Sequence, residues 1–199
     1  PGNTIEFIAF GSEELGLYGS SAYAYDSKQS SKKIKLMLNN DMIAYQTGTN
    51  QSEWIVNIID YDNSHNLRKE AEHMCSMFTV LNFTNDNTYN KQSDSYPFFT
   101  NGYKAIFFFS NNIDPDYHSL NDLTENCNFE YCREIVKISC SLLVAALVST
   151  SFSSFMPSMA VFSASSLVLI CCQAASRSSW TCLRSSRAAT GWLSICMIN

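Results

Sequence analysis

Apolar residues in this chain gather in short runs, some interrupted by a single polar residue such as Glu6, Lys35 or Asn57, and divided by polar stretches with helical spacing. Residues 5–10 (IEFIAF), 34–38, 54–59 and 104–109 (KAIFFF) have the β-branched and aromatic character of buried strands, and 79–83 makes a further short one. Between them, 14–27, 63–78 and 129–148 carry polar residues on one face and predict helices. Residues 93–102 predict a short helix closed by Gly102, and 110–125 a polar loop. Strands that are apolar along their whole length, alternating with helices, predict an α/β fold. Its sheet is largely parallel, or mixed, with helices on both faces. Ligand chemistry in such sheets collects at the C-terminal ends of the strands.

Charge divides the chain in two. All 18 acidic residues lie at or before Glu134, so residues 1–150 carry 10 − 18 = −8, and the rest carries +3 from Arg177, Arg184 and Arg187. A net charge of −5 argues against a broad nucleic-acid surface. The eight cysteines include no Cys-x-x-Cys, so neither a zinc ribbon nor a thioredoxin-type pair is indicated; Cys127 and Cys132 are close enough in sequence for a disulfide, and the sequence leaves that open. Asn50-Gln-Ser and Asn82-Phe-Thr fit the glycosylation pattern.

Three positions after strands carry candidate chemistry. Glu13 and Glu14 follow the first run, Asp41 follows the second, and His118 lies in the loop after KAIFFF. Each has an ordinary explanation. Ser12 makes a good helix N-cap, and acids in a first turn offset the helix dipole. Asn39-Asn40-Asp41 is usual turn chemistry. His65 and His73 sit among charged residues and read as solvated. Asp41, however, interrupts an apolar segment that resumes at Met42-Ile43-Ala44, and a buried carboxylate is costly unless paired or bound to a metal. Glu, Asp and His are the usual ligands of a catalytic zinc. Adjacent glutamates at a strand-to-helix turn point different ways, so one can hold a metal while the other acts as a base on the water it activates.

The segments FIAFGSEELGLYGSSAYA, LNNDMIAY, SDSYPF and DYHSLNDL, in that order, closely resemble the di-zinc aminopeptidases of metallopeptidase family 28, the group of bacterial leucyl aminopeptidases, over about residues 4–148. The resemblance implies a zinc-exopeptidase-like three-layer sandwich. Glu13 matches the general base. Glu14 and His118 match ligands of one zinc, and Asp41 a ligand of the other. Asp122 matches the motif's acid and is expected to hold His118 or its loop. Gly16 and Gly19 match glycines that let the chain pack closely against the strand. Two Zn²⁺ ions, peptide substrates with a free N-terminus and exopeptidase activity follow. Relatives are often exported, so the resemblance points to a secreted or periplasmic protein, while the residues themselves leave the compartment open.

The family pattern also has a His and a bridging Asp upstream of the Glu-Glu motif, and residues 1–12 contain neither residue type. The expectation is therefore an N-terminally truncated enzyme, the C-terminal part of a catalytic domain over 1–150, that holds zinc weakly and is inactive alone. Ser95 stands where many relatives have His, which bears on the substrate pocket. Residues 151–199 hold 13 serines and no acids. They read as a tail outside the domain, disordered or of non-native origin. The uncharged stretch 155–175 approaches the length of a membrane span but is rich in Ser, Cys and Gln, so a membrane role is not expected. Two other functions share this scaffold: a glutaminyl-cyclase-like transferase with one zinc, and a non-catalytic binding domain.

Overall fold

The structure, a computed structural model, describes residues 4–151 and 193–198. Its strands are β1 (Thr4–Ile8), β2 (Ile34–Asn40), β3 (Ile55–Ile59), β4 (Asn82–Thr84), β5 (Ala105–Ser110) and β6 (Leu193–Ile198), and its helices are α1 (Tyr18–Gln29), α2 (His65–Phe78), α3 (Ser95–Thr100) and α4 (Phe129–Ser151). The strands form one sheet in the order β1-β6-β2-β5-β3-β4. The sheet is mixed. β2–β5 and β3–β4 pair in parallel, whereas β1–β6, β6–β2 and β5–β3 are antiparallel.

Alternation along the strands splits the core into two layers. Leu36, Leu38, Val56, Ile58, Ile106, Phe108 and Met197 face α2 and α4, where Ala71, Cys75, Tyr131, Ile135, Ile138 and Leu142 meet them. Met37, Ala105, Cys196 and Ile198 face the other way, onto Ala24 of α1 and Phe98 of α3. Helices thus cover both faces, as the alternating pattern predicts. α1 lies close to its neighbours because its buried positions, Ser20, Ala24 and Ser27, are all small.

Three features differ from the expectations. β1 is an edge strand rather than a buried one: Phe7 is 65% exposed, and Ile5 and Ile8, on opposite faces, are only partly buried. Asn39 and Asn40 belong to β2 and are buried, not turn residues, because each has side-chain partners to satisfy it: Ser194 donates to Asn39 Oδ1 and Ser139 to Asn40 Oδ1, both at 2.8 Å. Six residues of the serine-rich tail, Leu193–Ile198, form a strand inside the sheet. The remainder of the tail, including the 155–175 stretch, lies outside the described residues. Among the described residues no helix is long and apolar enough to cross a membrane.

Strand directions decide where the candidate chemistry gathers. β1 and β2 are both antiparallel to β6, so they point the same way, and β5 is parallel to β2. The segments leaving their C-terminal ends therefore emerge at one edge of the sheet.

Candidate active site

Glu13, Glu14, Asp41 and His118 all line one cavity of about 980 Å³ at that edge. Glu13 and Glu14 belong to the turn between β1 and α1. Its backbone doubles back through Gly16 N–H and Leu17 N–H, which both donate to the Glu13 carbonyl, at 2.9 and 2.8 Å. Helix α1 begins only at Tyr18, with Leu17 at its N-cap position, no side-chain cap, and no acid in its first turn. The ordinary explanations, Ser12 as an N-cap and the two glutamates as dipole partners, therefore do not account for these residues. The turn is shaped by Gly16, with φ of 121°, not by a cap.

Gly19 fixes how close this turn approaches the strand. Its N–H donates to the Gly11 carbonyl at 3.1 Å, and a Cβ there would stand 2.5 Å from that same oxygen. Of the five non-glycine residues with positive φ among the described residues, four flank candidate groups: Ser12, Leu17, Met42 and His118 itself. Such conformations cost about 1–3 kcal/mol each and gather at functional sites.

The side chains fall into two halves. Glu14 Oε1 and His118 Nε2 meet at 2.7 Å in the open part of the cavity, both about half exposed, with the His118 ring stacked on Tyr117 at 3.7 Å. Asp41 is 3% exposed, and its Oδ2 accepts the Ser93 hydroxyl at 2.5 Å. Asp41 Oδ1 and Glu13 Oε2 are buried with no hydrogen-bond partner. Burial, reinforced by Asp41, Glu14 and Asp94, pushes the Glu13 carboxyl up to about 8. Burial likewise pushes Asp41 up to about 7, although the Ser93 hydrogen bond opposes it. Asp94 is itself 1% exposed, with an unpartnered Oδ1. Several carboxylates thus crowd one buried corner, a deficit that a cation relieves.

Among the described residues no three His, Cys, Asp or Glu side chains converge as a ready metal cluster. The fit to zinc rests on donor chemistry: a Glu–His pair already at contact, and unpartnered oxygens on Asp41 and Glu13 beside it. The same cavity is also lined by the apolar residues Met42, Phe107, Phe109 and Ile113.

Asp122 does not line the cavity. Burial and the acids Asp114 and Asp116 raise its carboxyl, while His118 opposes them. Ser95, the first residue of α3, is buried with its hydroxyl 2.8 Å from Tyr61 Oη, so the departure noted there is not part of the cavity lining. His65 is not merely solvated. Its Nδ1 lies 2.5 Å from Asp60 Oδ2, which Arg68 also contacts at 3.2 Å. Cys127 and Cys132 are free thiols. Sequence reasoning missed Asn39, Ser93 and Asp94 as parts of the site, because each reads as turn or cap chemistry until the fold brings it against Asp41.

The model of peptidase family M28 matches residues 1–143. A probable leucine aminopeptidase 1 of Trichophyton verrucosum is 31% identical over 141 residues, 68% of this chain and 38% of the relative. The leucine aminopeptidase 1 of Arthroderma gypseum is 52% identical over 46 residues. Among solved structures, the LapA aminopeptidase of Legionella pneumophila superposes with a TM-score of 0.57 at 19% identity, covering 69% of this chain and 38% of that one. A zinc aminopeptidase of Bacillus subtilis gives 0.53 at 22%, covering 70% and 35%. The chain thus spans under two-fifths of the length of these relatives, and the likeness in structure carries the fold. With the family model covering well over half of its residues, the chain belongs to peptidase family M28.

Proposed function

We propose that the protein is a zinc-dependent aminopeptidase, with Glu13 as general base, Glu14 and His118 as ligands of one zinc and Asp41 as a ligand of a second. The observation that carries this reading is the junction of the Glu14–His118 pair with the unpartnered buried oxygens of Asp41 and Glu13 on one cavity. Zinc, when bound, supplies a Lewis acid that polarises the scissile carbonyl and lowers the pKa of a water. Glu13 does the proton work. Its Oε2 lies buried, its affinity for a proton is raised, and it takes the proton from water and returns it to the leaving amine. The apolar lining residues Met42, Phe107, Phe109 and Ile113 suit an apolar N-terminal side chain. Family membership and relatives that are leucine aminopeptidases support the substrate class.

The test is zinc content measured beside hydrolysis of aminoacyl anilides, in the chain and in a version extended upstream to the relatives' length. Glu13→Gln is expected to keep its zinc and to lose about 10²–10⁴ in turnover, because an amide cannot accept the proton. Glu14→Gln is expected to lose zinc first. Equal zinc content and equal rates for the two variants sink the assignment.

A further inference from the structure

The C-terminal strand reaches the candidate site through a chain of buried hydrogen bonds. Ser194 lies opposite Asn39 in the β6–β2 register. Its hydroxyl donates to Asn39 Oδ1 at 2.8 Å. Asn39 Nδ2 donates to Ser93 Oγ at 2.5 Å, and Ser93 Oγ donates to Asp41 Oδ2 at 2.5 Å. All four residues are at most 3% exposed. The three hydroxyl and amide groups come from positions 39, 93 and 194, on three separate segments.

Proton counting gives the chain a direction. A serine hydroxyl has one proton, and an asparagine amide donates only from its nitrogen. With Asn39 Nδ2 donating to Ser93, the single Ser93 proton is free for Asp41. Were the Asn39 amide turned over, its oxygen would face Ser93 and compete with Asp41 for that proton. Because Ser93 donates to Asp41, the Asn39 nitrogen must face Ser93 and its oxygen must face β6, where the Ser194 hydroxyl satisfies it; without that hydroxyl the buried oxygen has no donor. The consequence at Asp41, which lines the cavity, is an asymmetric carboxylate: Oδ2 held by Ser93, Oδ1 buried and unpartnered.

We infer that Ser194 is a positioning residue for the candidate site, which holds the Asn39 amide in place and, through Ser93, keeps the protein's hydrogen bond on Asp41 Oδ2 and leaves Oδ1 available to a ligand. The part that concerns metal rests on the proposed function. The part that concerns the hydrogen-bonded chain does not.

Two measurements on the full chain separate them, with Ser194→Ala, Ser194→Thr and Ser93→Ala. In the metal-free protein, exchange of the Asn39 side-chain amide protons is followed by NMR, with the β1 backbone amides as reference. Ser194→Ala is expected to speed the Asn39 side chain by about two- to tenfold, the worth of one neutral hydrogen bond, with β1 unchanged. Ser194→Thr, which keeps the hydroxyl, is expected to stay at the wild-type rate. In a Zn²⁺ titration, Ser93→Ala is expected to weaken binding about 10–100-fold and Ser194→Ala about three- to tenfold, with Ser194→Thr near wild type. An Asn39 side chain that exchanges equally in wild type and Ser194→Ala overturns the inference. So does loosening of Asn39 and β1 together, which would mean that Ser194 only seats the strand. Zinc affinity indifferent to Asp41→Asn removes the metal reading instead, and the exchange measurement alone then decides the role of Ser194.

Discussion

At the scale of single residues, the candidate site holds protons that an unfolded chain would release. Glu13 is raised to about 8 and Asp41 to about 7, both chiefly by burial. In the unfolded chain both ionise near the ordinary carboxylate values of about 4. Between those limits the metal-free folded state binds more protons than the unfolded one, so its stability falls as pH rises from about 4 to 8. Asp60 works with the opposite sign. Burial alone would raise it, but His65 and Arg68 outweigh burial and hold it below the usual range. Its contribution is present above the unfolded value and is lost as pH falls through the folded one. The expected outcome for the metal-free chain is a maximum of melting temperature near about pH 5, with a decline towards pH 8 that Glu13→Gln flattens. Thermal melts in excess chelator across pH 3–9 check it, and a melting temperature that climbs from pH 5 to 8 contradicts it. Zinc must displace these protons, so its affinity is expected to rise over the same range.

At the scale of elements, the turn before α1 carries the argument. The sequence motif makes Gly16 and Gly19 legible as close-packing positions, yet the helix starts four residues later than its pattern predicts. Ser12 followed by two acids is an N-terminal signature by composition. Here the segment is instead pulled into a turn by the 2.8–2.9 Å bonds onto the Glu13 carbonyl. β5 is legible because burial on both faces leaves an unbroken apolar run over 105–109, and β2 because only Lys35 interrupts the apolar residues 34–38. The site's carboxylates and His118 were legible by motif. The Asn39–Ser93–Ser194 chain was not, because it joins residues 54 and 155 positions apart. The glycines offer a contrast. A Cβ on Gly19 meets the Gly11 backbone oxygen at 2.5 Å, whereas one on Gly11 meets nothing within 4 Å. Gly19→Ala must therefore push the Glu13–Glu14 turn off the strand. It is expected to cost about 1–3 kcal/mol in urea unfolding and to weaken zinc binding with it. Gly11→Ala is expected to change neither. Equal behaviour of the two alanines would show that the close approach does not fix the turn.

At the scale of the whole molecule, β6 is the piece that composition concealed. Its neighbours in sequence are serine-rich, and six apolar-leaning residues give no sign of which sheet they join. In the fold β6 is the only strand partner of β1 among the described residues, and it holds β1 parallel to β2 at the spacing of one intervening strand. β1 in turn leads into Glu13 and Glu14. Cys196, Met197 and Ile198 are buried between the two helical layers, and burying side chains such as Met197 and Ile198 contributes about 1.5–3 kcal/mol each. Removing residues 193–199 takes away that burial, strips β1 of its hydrogen bonds, and leaves the edge of β2 open. The β3–β4–β5 half keeps its own pairing and its cover from α2 and α4, where Val56, Ile58, Phe108, Tyr131 and Ile135 remain packed. Hydrogen exchange read by mass spectrometry is expected to show β1 and the 11–17 turn exchanging at nearly unprotected rates in the shortened chain, while β3 and β5 stay protected. A synthetic LSICMI peptide added in trans is expected to restore part of the β1 protection by strand addition. Protection of β1 that survives the deletion unchanged would mean that β6 is not what holds the carboxylate pair beside Asp41.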